Sequence, residues 1–171
     1  DVACGTGDLC HVLTTRGFRA IGLDMSHGML VAARHQFFAV QGDALRLPIA
    51  DASVDGVTCG FALRNLESLP PFFAELARVV RPGGRISLLE VAEPPNPVLR
   101  FGHGVYFGKV VPLVGGLLSD GAAYRYLPRS VAYLPEPDEM VQMLVTAGFS
   151  DAHRRLLSVG ISQFLSGTRD S

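Results

Sequence analysis

The chain has 171 residues, 48% of them hydrophobic, and a formal net charge of −1. This length suits a single domain with a full hydrophobic core, and the balanced charge argues against a nucleic-acid-binding protein. The three cysteines show no C-x-x-C spacing, which argues against a disulfide framework and a zinc site. No apolar run reaches the roughly 18 residues of a bilayer span, so we expect a cytoplasmic protein.

Strand-like and helix-like stretches alternate along most of the chain. Helices are predicted over residues 8–16, 26–36, 71–80 and 137–147, and strands over residues 19–24, 37–41, 54–59, 85–91, 152–157 and 161–167. Alternation predicts a mostly parallel sheet with right-handed crossovers, of the Rossmann-like α/β class. The last two strands predict an antiparallel hairpin that closes this sheet.

Three local predictions can be compared directly with a structure. Ser26 is a favourable N-cap for a helix that carries Met29, Leu30 and Ala33 on its inner side. The continuous apolar run at 37–41 predicts a strand buried on both faces. Arg81-Pro82-Gly83-Gly84 predicts a turn.

A glycine loop opens the chain with the sequence Asp1-Val2-Ala3-Cys4-Gly5-Thr6-Gly7-Asp8. On its own this G-x-G is weak evidence, since an ordinary strand-to-helix turn has the same pattern. Asp1 precedes the loop, where it can meet an amino group, and Asp24 ends the next strand, where an acid can bind ribose hydroxyls. Cys10 stands where a dinucleotide site would have its third glycine. An acid-first loop with a ribose acid favours S-adenosylmethionine as the ligand.

Residues 94–135 interrupt the alternation. Val105–Leu118 is largely apolar but is interrupted by Lys109, Pro112, Gly115 and Gly116, so it is too interrupted to span a membrane. Two interpretations stay open: a pair of core helices, or an apolar cover over a hydrophobic substrate. We treat residues 1–171 as one domain with 94–135 as a substrate-cover insertion.

Six motifs, in order, resemble the C-methyltransferases of menaquinone and ubiquinone biosynthesis: DVACGTGD, GLDMSHGML, GDALRLP, GFALRN, RVVRPGGRISLLEVA and SDGAAYRYLPRSV. The resemblance implies a class I methyltransferase fold and methylation of a ring carbon of a polyprenylated quinol, of the demethylmenaquinol type, with S-adenosylmethionine. The cofactor residues that the motifs and the sheet edge predict are Asp1, Gly5, Thr6, Gly7, Asp24, Met25, Asp43, Ala44 and Gly60. Family members often carry a hydroxyl residue at the Gly60 position.

A ring carbon of the quinol becomes nucleophilic when its neighbouring hydroxyl loses a proton. The resulting anion has to be stabilised, and a nearby cation can do this. Arg64 follows a strand end and is predicted to stabilise the quinolate, with Asn65 orienting the ring and Tyr126 bonding a quinol oxygen. The alternatives are a structural salt bridge for Arg64 and packing for Tyr126. Tyr124, His103 and Glu90 are weaker candidates, and Glu90 either faces the pocket or pairs with an arginine.

Other functions stay open at this stage. The chain could be another small-molecule methyltransferase with the same cofactor, or a cofactor-binding fragment or accessory subunit without catalysis. It begins at the motif itself, so we expect an N-terminal segment to be missing. Peripheral membrane contact, a homodimeric assembly, and the choice between a naphthoquinol and a benzoquinol stay open as well.

Overall fold

The computed structural model of the chain describes residues 1–33, 37–94, 96 and 134–171. Helices and strands alternate in these ranges. In chain order they are α1 (Asp8–Thr15), β1 (Ile21–Asp24), α2 (His27–Val31), β2 (Phe38–Gln41), β3 (Val54–Gly60), α3 (Leu69–Val79), β4 (Val80–Val91), α4 (Pro137–Thr146), β5 (Phe149–Leu157) and β6 (Ser162–Arg169). Short 3₁₀ helices lie at Leu63–Asn65 and Ser158–Gly160.

The described strands form a two-stranded sheet of order β2-β1 and a four-stranded sheet of order β3-β4-β6-β5. β1 pairs with β2, and β3 pairs with β4, both in parallel. Val2 lies between the two pairs and forms parallel bridges with Leu23 of β1 and Cys59 of β3. β6 runs antiparallel to β4 and to β5, which confirms the predicted closing hairpin. The predicted fold class is therefore confirmed.

The two longest helices of the described ranges begin where the chain has proline. Leu69 and Pro70 open α3, and Pro137 opens α4, so the missing proline N–H groups fall on positions that have no partner inside a helix. Asp138 and Glu139 occupy the first turn of α4, where acidic side chains favour the positive end of the helix.

The hydrophobic core lies between these helices and β3, β4 and β6. α3 packs on β4 and on α4, and α4 packs on β5. The largest side chains of the core are fully buried: Phe72, Phe73, Phe149, Leu76, Ile86, Leu88, Met140, Leu144 and Leu165. The core therefore anchors the centre and one edge of the sheet, and it holds the end of β3 rigidly.

The opposite edge of the sheet differs from prediction. β2 was expected to be buried on both faces, but Phe38 is 68% exposed and the strand has no fully buried residue. The reason is position: among the described strands β2 pairs only with β1, so it is an edge strand. A continuous apolar run does not distinguish an edge strand from a central one.

α2 is also shorter and more exposed than predicted. Ser26 caps it as expected, since its Oγ accepts a hydrogen bond from the Met29 amide at 3.3 Å. The helix ends at Val31, where the Ala33 amide turns back to the Leu30 carbonyl, and not at Gln36. Met29, predicted to face inward, is 49% exposed. Leu30 and Ala33 are half-buried.

The predicted turn at residues 81–84 lies inside β4. Val54 pairs with Val80, but Gly56 already pairs with Arg85, so the four intervening residues bulge out of the ladder. Gly83 has a φ of 76°, which accounts for the turn-like sequence. In the described ranges, no helix combines the length and the apolar character that crossing a membrane requires.

Candidate active site

The glycine loop leads from Val2 into α1 at the carboxyl end of the sheet. Its backbone alternates through positive φ at Ala3 (54°), Gly5 (55°) and Gly7 (82°). A β-carbon at Gly7 would lie 2.0 Å from the Phe37 ring, so only glycine fits there. Phe37, which sequence reasoning did not select, therefore packs directly on the loop and helps to fix its shape.

Asp24 ties this loop to the end of β1. One carboxylate oxygen accepts a hydrogen bond from the Gly5 amide and the other from the Ser26 amide, both at 2.8 Å. A carboxylate has about four acceptor sites, so both oxygens keep capacity for hydroxyl donors of a ligand. The predicted ribose acid thus stands at the loop and also organises it.

Asp1 is held on the other side of the loop. Its Oδ1 accepts the Thr58 hydroxyl of β3 at 2.7 Å, and its Oδ2 lies 3.7 Å from the Cys10 sulfur of α1. These two contacts fix a carboxylate beside the loop, as the prediction of an amino-group partner requires.

Four further predicted cofactor residues make contacts within the chain. The Thr6 hydroxyl donates a hydrogen bond to the Asp8 carboxylate at 3.2 Å. The Met25 side chain is exposed, and its backbone carbonyl accepts a hydrogen bond from the side-chain amide of Gln41 at 3.1 Å. Asp43 closes a turn by accepting the Leu45 amide at 2.9 Å, and Ala44 packs against the core. These contacts are all within the chain and do not test binding of a ligand, so the cofactor roles of these four residues stay predictions.

Arg78 holds the segment that follows Asp43. Its guanidinium donates to the Leu47 carbonyl at 2.9 Å, to the Ile49 carbonyl at 2.8 Å, and to both oxygens of Glu75. Glu75 in turn accepts the Leu47 amide at 2.8 Å, and the Arg78 guanidinium lowers the pKa of this carboxyl. Sequence reasoning missed this network. The only available signal was the i, i+3 spacing of Glu75 and Arg78 on a helix.

Open space adjoins the backbone at two of the predicted glycines. A β-carbon at Gly5 or at Gly60 would meet no heavy atom of the described residues within 4 Å. By contrast, one at Gly84 would lie 2.7 Å from the Asp55 carbonyl oxygen. The chain therefore leaves room for a ligand at the loop and at the end of β3, which lie at the same edge of the sheet.

Arg64 stands on the 3₁₀ helix just beyond β3 and forms a buried ion pair with Glu90 of β4. The Arg64 side chain is 11% exposed and that of Glu90 is 0% exposed. Glu90 also accepts the backbone amides of Arg64 (3.2 Å) and Val91 (2.7 Å). This is the salt bridge that the structural alternative predicted, and it also answers the question left open for Glu90.

The pair does not use the Nε donor of Arg64. Its Nε is buried, and within the described part of the chain it has no hydrogen-bond partner. Asn65 is exposed and donates its backbone amide to the Ala62 carbonyl at 2.9 Å. Tyr126, Tyr124 and His103 lie outside the described residues, as does nearly all of the predicted insertion. The catalytic roles of Arg64, Asn65 and Tyr126 stay predictions.

A separate cavity of about 280 Å³ lies beside the 3₁₀ helix. Leu63, Leu66, Leu134 and Met143 contribute its apolar lining, and Glu67 and Ser68 contribute polar groups. None of the predicted cofactor residues lines it. It is therefore distinct from the open space at Gly5 and Gly60.

Comparison with known proteins identifies the family. Residues 1–169 match the model of the ubiE/COQ5 methyltransferase family. The chain belongs to this family. A demethylmenaquinone methyltransferase of Roseiflexus castenholzii is 41% identical, with 99% of this chain and 74% of that protein aligned. The ubiquinone/menaquinone biosynthesis C-methyltransferase UbiE of Dinoroseobacter shibae is 36% identical over 98% of this chain and 72% of that protein.

A solved structure has the same fold. A SAM-dependent methyltransferase from Archaeoglobus fulgidus superposes with a TM-score of 0.74 at 13% identity, covering 99% of this chain and 84% of that one. The family predicted from the motifs is confirmed, and with it a methyltransferase whose methyl donor is S-adenosylmethionine. The six sequence motifs were therefore sufficient to identify the ubiE/COQ5 methyltransferase family.

Proposed function

We propose that this methyltransferase moves the methyl group of S-adenosylmethionine to a ring carbon of a polyprenylated quinol of the demethylmenaquinol type. The observation that carries the proposal is the match to the ubiE/COQ5 family over residues 1–169. The demethylmenaquinone methyltransferase name of the Roseiflexus relative supports the choice of acceptor. The free space beside Gly5 and Gly60 supports a ligand at this edge of the sheet.

The residues present fit the cofactor. Asp24 keeps acceptor capacity for ribose hydroxyls beside the Gly5 amide, and Asp1 offers a fixed carboxylate to an ammonium group. A β-carbon at Gly60 would meet no heavy atom of the described residues within 4 Å, so space for a ligand adjoins the end of β3. When bound, the cofactor supplies an electrophilic methyl group on a positively charged sulfur. The chain supplies the anchors that fix its orientation.

The acceptor has to be made nucleophilic. A phenol has a pKa of about 10, so ionising a quinol hydroxyl at pH 7 costs roughly 4 kcal/mol. A fixed cation lowers that cost because it favours the charged form. Arg64 is a cation on the 3₁₀ helix that follows β3, four residues beyond Gly60.

The ion pair with Glu90 affects both the charge and the orientation of the Arg64 guanidinium. Their ion pair offsets part of the arginine charge, and it also holds the guanidinium in one orientation. Arginine cannot serve as the base, since its pKa exceeds about 12. We therefore assign Arg64 to hydrogen bonding and charge stabilisation of the quinolate through donors that Glu90 does not occupy, directly or through a water.

The test compares the reduced and oxidised forms of one acceptor. With S-adenosylmethionine and a short-chain demethylmenaquinol, methyl transfer should proceed, whereas the corresponding quinone should give no product because it has no hydroxyl to ionise. A demethylated benzoquinol run in parallel resolves the ring preference. Equal rates with quinol and quinone would contradict the mechanism. Cofactor binding without transfer to either quinol would contradict the proposed acceptor.

A further inference from the structure

Two of the three cysteine side chains of the chain meet over one glycine. A β-carbon at Gly22 of β1 would lie 2.8 Å from the Cys4 sulfur and 2.9 Å from the Cys10 sulfur. Both sulfur atoms therefore lie within 2.9 Å of one point, which makes the two thiols neighbours. The Phe37 ring is nearer still, at 2.5 Å, so a side chain at position 22 would collide with the ring and with both sulfurs.

The three thiols differ in accessibility and acidity. Cys4 is half-buried, whereas Cys10 and Cys59 are buried. The neighbouring Cys10 thiol lowers the pKa of the Cys4 thiol, although burial and the Asp24 carboxylate act in the opposite direction. The Cys4 thiol and burial raise the pKa of Cys10, and burial raises that of Cys59 to about 12. Since the thiolate is the reactive form, Cys4 should react first.

The pair brackets the cofactor loop. Cys4 immediately precedes Gly5, whose amide donates to Asp24, and Cys10 lies in α1, which begins directly after the loop. A bond between the two sulfurs would close a ring around residues 5–9, which include both loop glycines. Any constraint on this ring acts on the Gly5 amide and on the carboxylate that it holds.

We propose that Cys4 and Cys10 form a peroxide-sensitive dithiol whose disulfide reversibly lowers the affinity of the loop for S-adenosylmethionine. The oxidant is hydrogen peroxide. The Cys4 thiolate attacks one peroxide oxygen, an S–O bond forms, the O–O bond breaks, and the departing hydroxide takes a proton to become water.

The second step uses the neighbouring thiol. The Cys10 sulfur attacks the sulfenic acid of Cys4, an S–S bond forms, the S–O bond breaks, and hydroxide leaves and is protonated to a second water. The Asp1 carboxylate, 3.7 Å from the Cys10 sulfur, can accept the proton that Cys10 gives up and pass it to the leaving hydroxide. Two thiols are oxidised by two electrons, and one peroxide is reduced to two waters.

Disulfide formation has to move the loop. The S–S bond is about 2.05 Å long and requires a defined dihedral angle, so Cys4 has to be drawn toward α1. Gly5 follows Cys4 directly, and its hydrogen bond to Asp24 at 2.8 Å is the contact most exposed to this movement. Binding of the cofactor to the oxidised loop then has to restore this contact, and we expect a fall in affinity of at least about tenfold.

Peptide mapping tests the covalent step without any assay of activity. The reduced chain is treated with stoichiometric hydrogen peroxide, free thiols are alkylated, and the protein is digested with trypsin. Cys4 and Cys10 share the peptide Asp1–Arg16, so the disulfide gives this peptide a mass lower by two hydrogens and no alkyl group. Cys59→Ala, the matched control, should behave like the unchanged chain.

Two results would overturn this step. One is alkylation of both cysteines in peptide Asp1–Arg16 after peroxide treatment, and the other is a disulfide that joins Cys4 to Cys59. In Cys10→Ala the sulfenic acid of Cys4 should persist and be captured by dimedone. If that variant does not fold, the peptide map of the unchanged chain decides alone.

Calorimetry then tests the effect on the cofactor. S-adenosylmethionine should bind the oxidised Cys59→Ala chain at least about tenfold more weakly than the reduced one, and dithiothreitol should restore the affinity. Equal affinity in both forms would overturn the regulatory part of the proposal. Because neither experiment contains a quinol, failure here is distinct from failure of the proposed methyl transfer.

Discussion

Replacing Arg64 by methionine removes one partner of a buried ion pair. The Glu90 carboxylate is 0% exposed, so the variant leaves a charge in the core whose remaining hydrogen-bond donors, among the described residues, are the backbone amides of residue 64 and Val91. Breaking a buried pair in this way costs about 3–5 kcal/mol. The two retained backbone hydrogen bonds place the expected loss at the lower end, about 3 kcal/mol.

A second substitution separates stability from catalysis. In Arg64→Met/Glu90→Gln no charge is left behind, and the amide oxygen can still accept the Val91 N–H. The free energy of unfolding should therefore return to within about 1–2 kcal/mol of the unchanged chain, since neutral replacement of a buried pair is often tolerated. Urea unfolding measures both variants.

The turnover number should not recover with stability. If Arg64 stabilises the quinolate, losing its charge-assisted hydrogen bond, worth about 1.5–3 kcal/mol, lowers kcat about 10- to 150-fold in both variants. Cofactor affinity, measured by calorimetry, should stay within a few-fold. Recovery of both stability and kcat in the double variant would refute the catalytic role and leave Arg64 as a structural residue. Unchanged stability of Arg64→Met would refute the buried-pair argument itself.

Three further predictions concern the cofactor edge and the segment after Asp43. Asp24→Ala should weaken S-adenosylmethionine binding by about 1.5–3 kcal/mol in calorimetry, because a charged acceptor is lost, and unchanged affinity would contradict this role. Gly60→Ala should unfold like the unchanged chain, because its β-carbon meets no heavy atom of the described residues within 4 Å, whereas Gly84→Ala should be destabilised by its contact with the Asp55 carbonyl oxygen. Arg78 lowers the pKa of Glu75 from 4.5, so this carboxylate stabilises the fold fully above pH 4.5 and less as pH falls through the lowered pKa. Urea unfolding curves of Glu75→Gln and the unchanged chain should therefore converge in acid.

Local sequence patterns predicted the order of elements and the position of Asp24. Each of these depends on neighbours in sequence: the glycine loop, the apolar strand before Asp24, and the Ser26 cap. The burial of β2 was predicted wrongly, because an apolar run carries no information about which strand lies at an edge.

The contacts that hold the site join residues far apart in sequence. Arg78 reaches the Leu47 carbonyl across 31 positions, and Arg64 reaches Glu90 across 26. No spacing rule connects such pairs; only the register of the parallel strands and the packing of α3 bring them together. The Cys4–Cys10 contact is intermediate, since their separation is short but their meeting over Gly22 depends on the pairing of Val2 with β1.

The fate of the methyl group tests the central claim most directly. The chain is incubated with S-adenosylmethionine labelled with ¹³C at the methyl position and a short-chain demethylmenaquinol, and the product is examined by ¹³C NMR. We expect the label on a ring carbon, as an aryl methyl signal with no methoxy signal. A methoxy product, or label retained entirely on the cofactor while the protein binds it, would contradict C-methylation of a quinol.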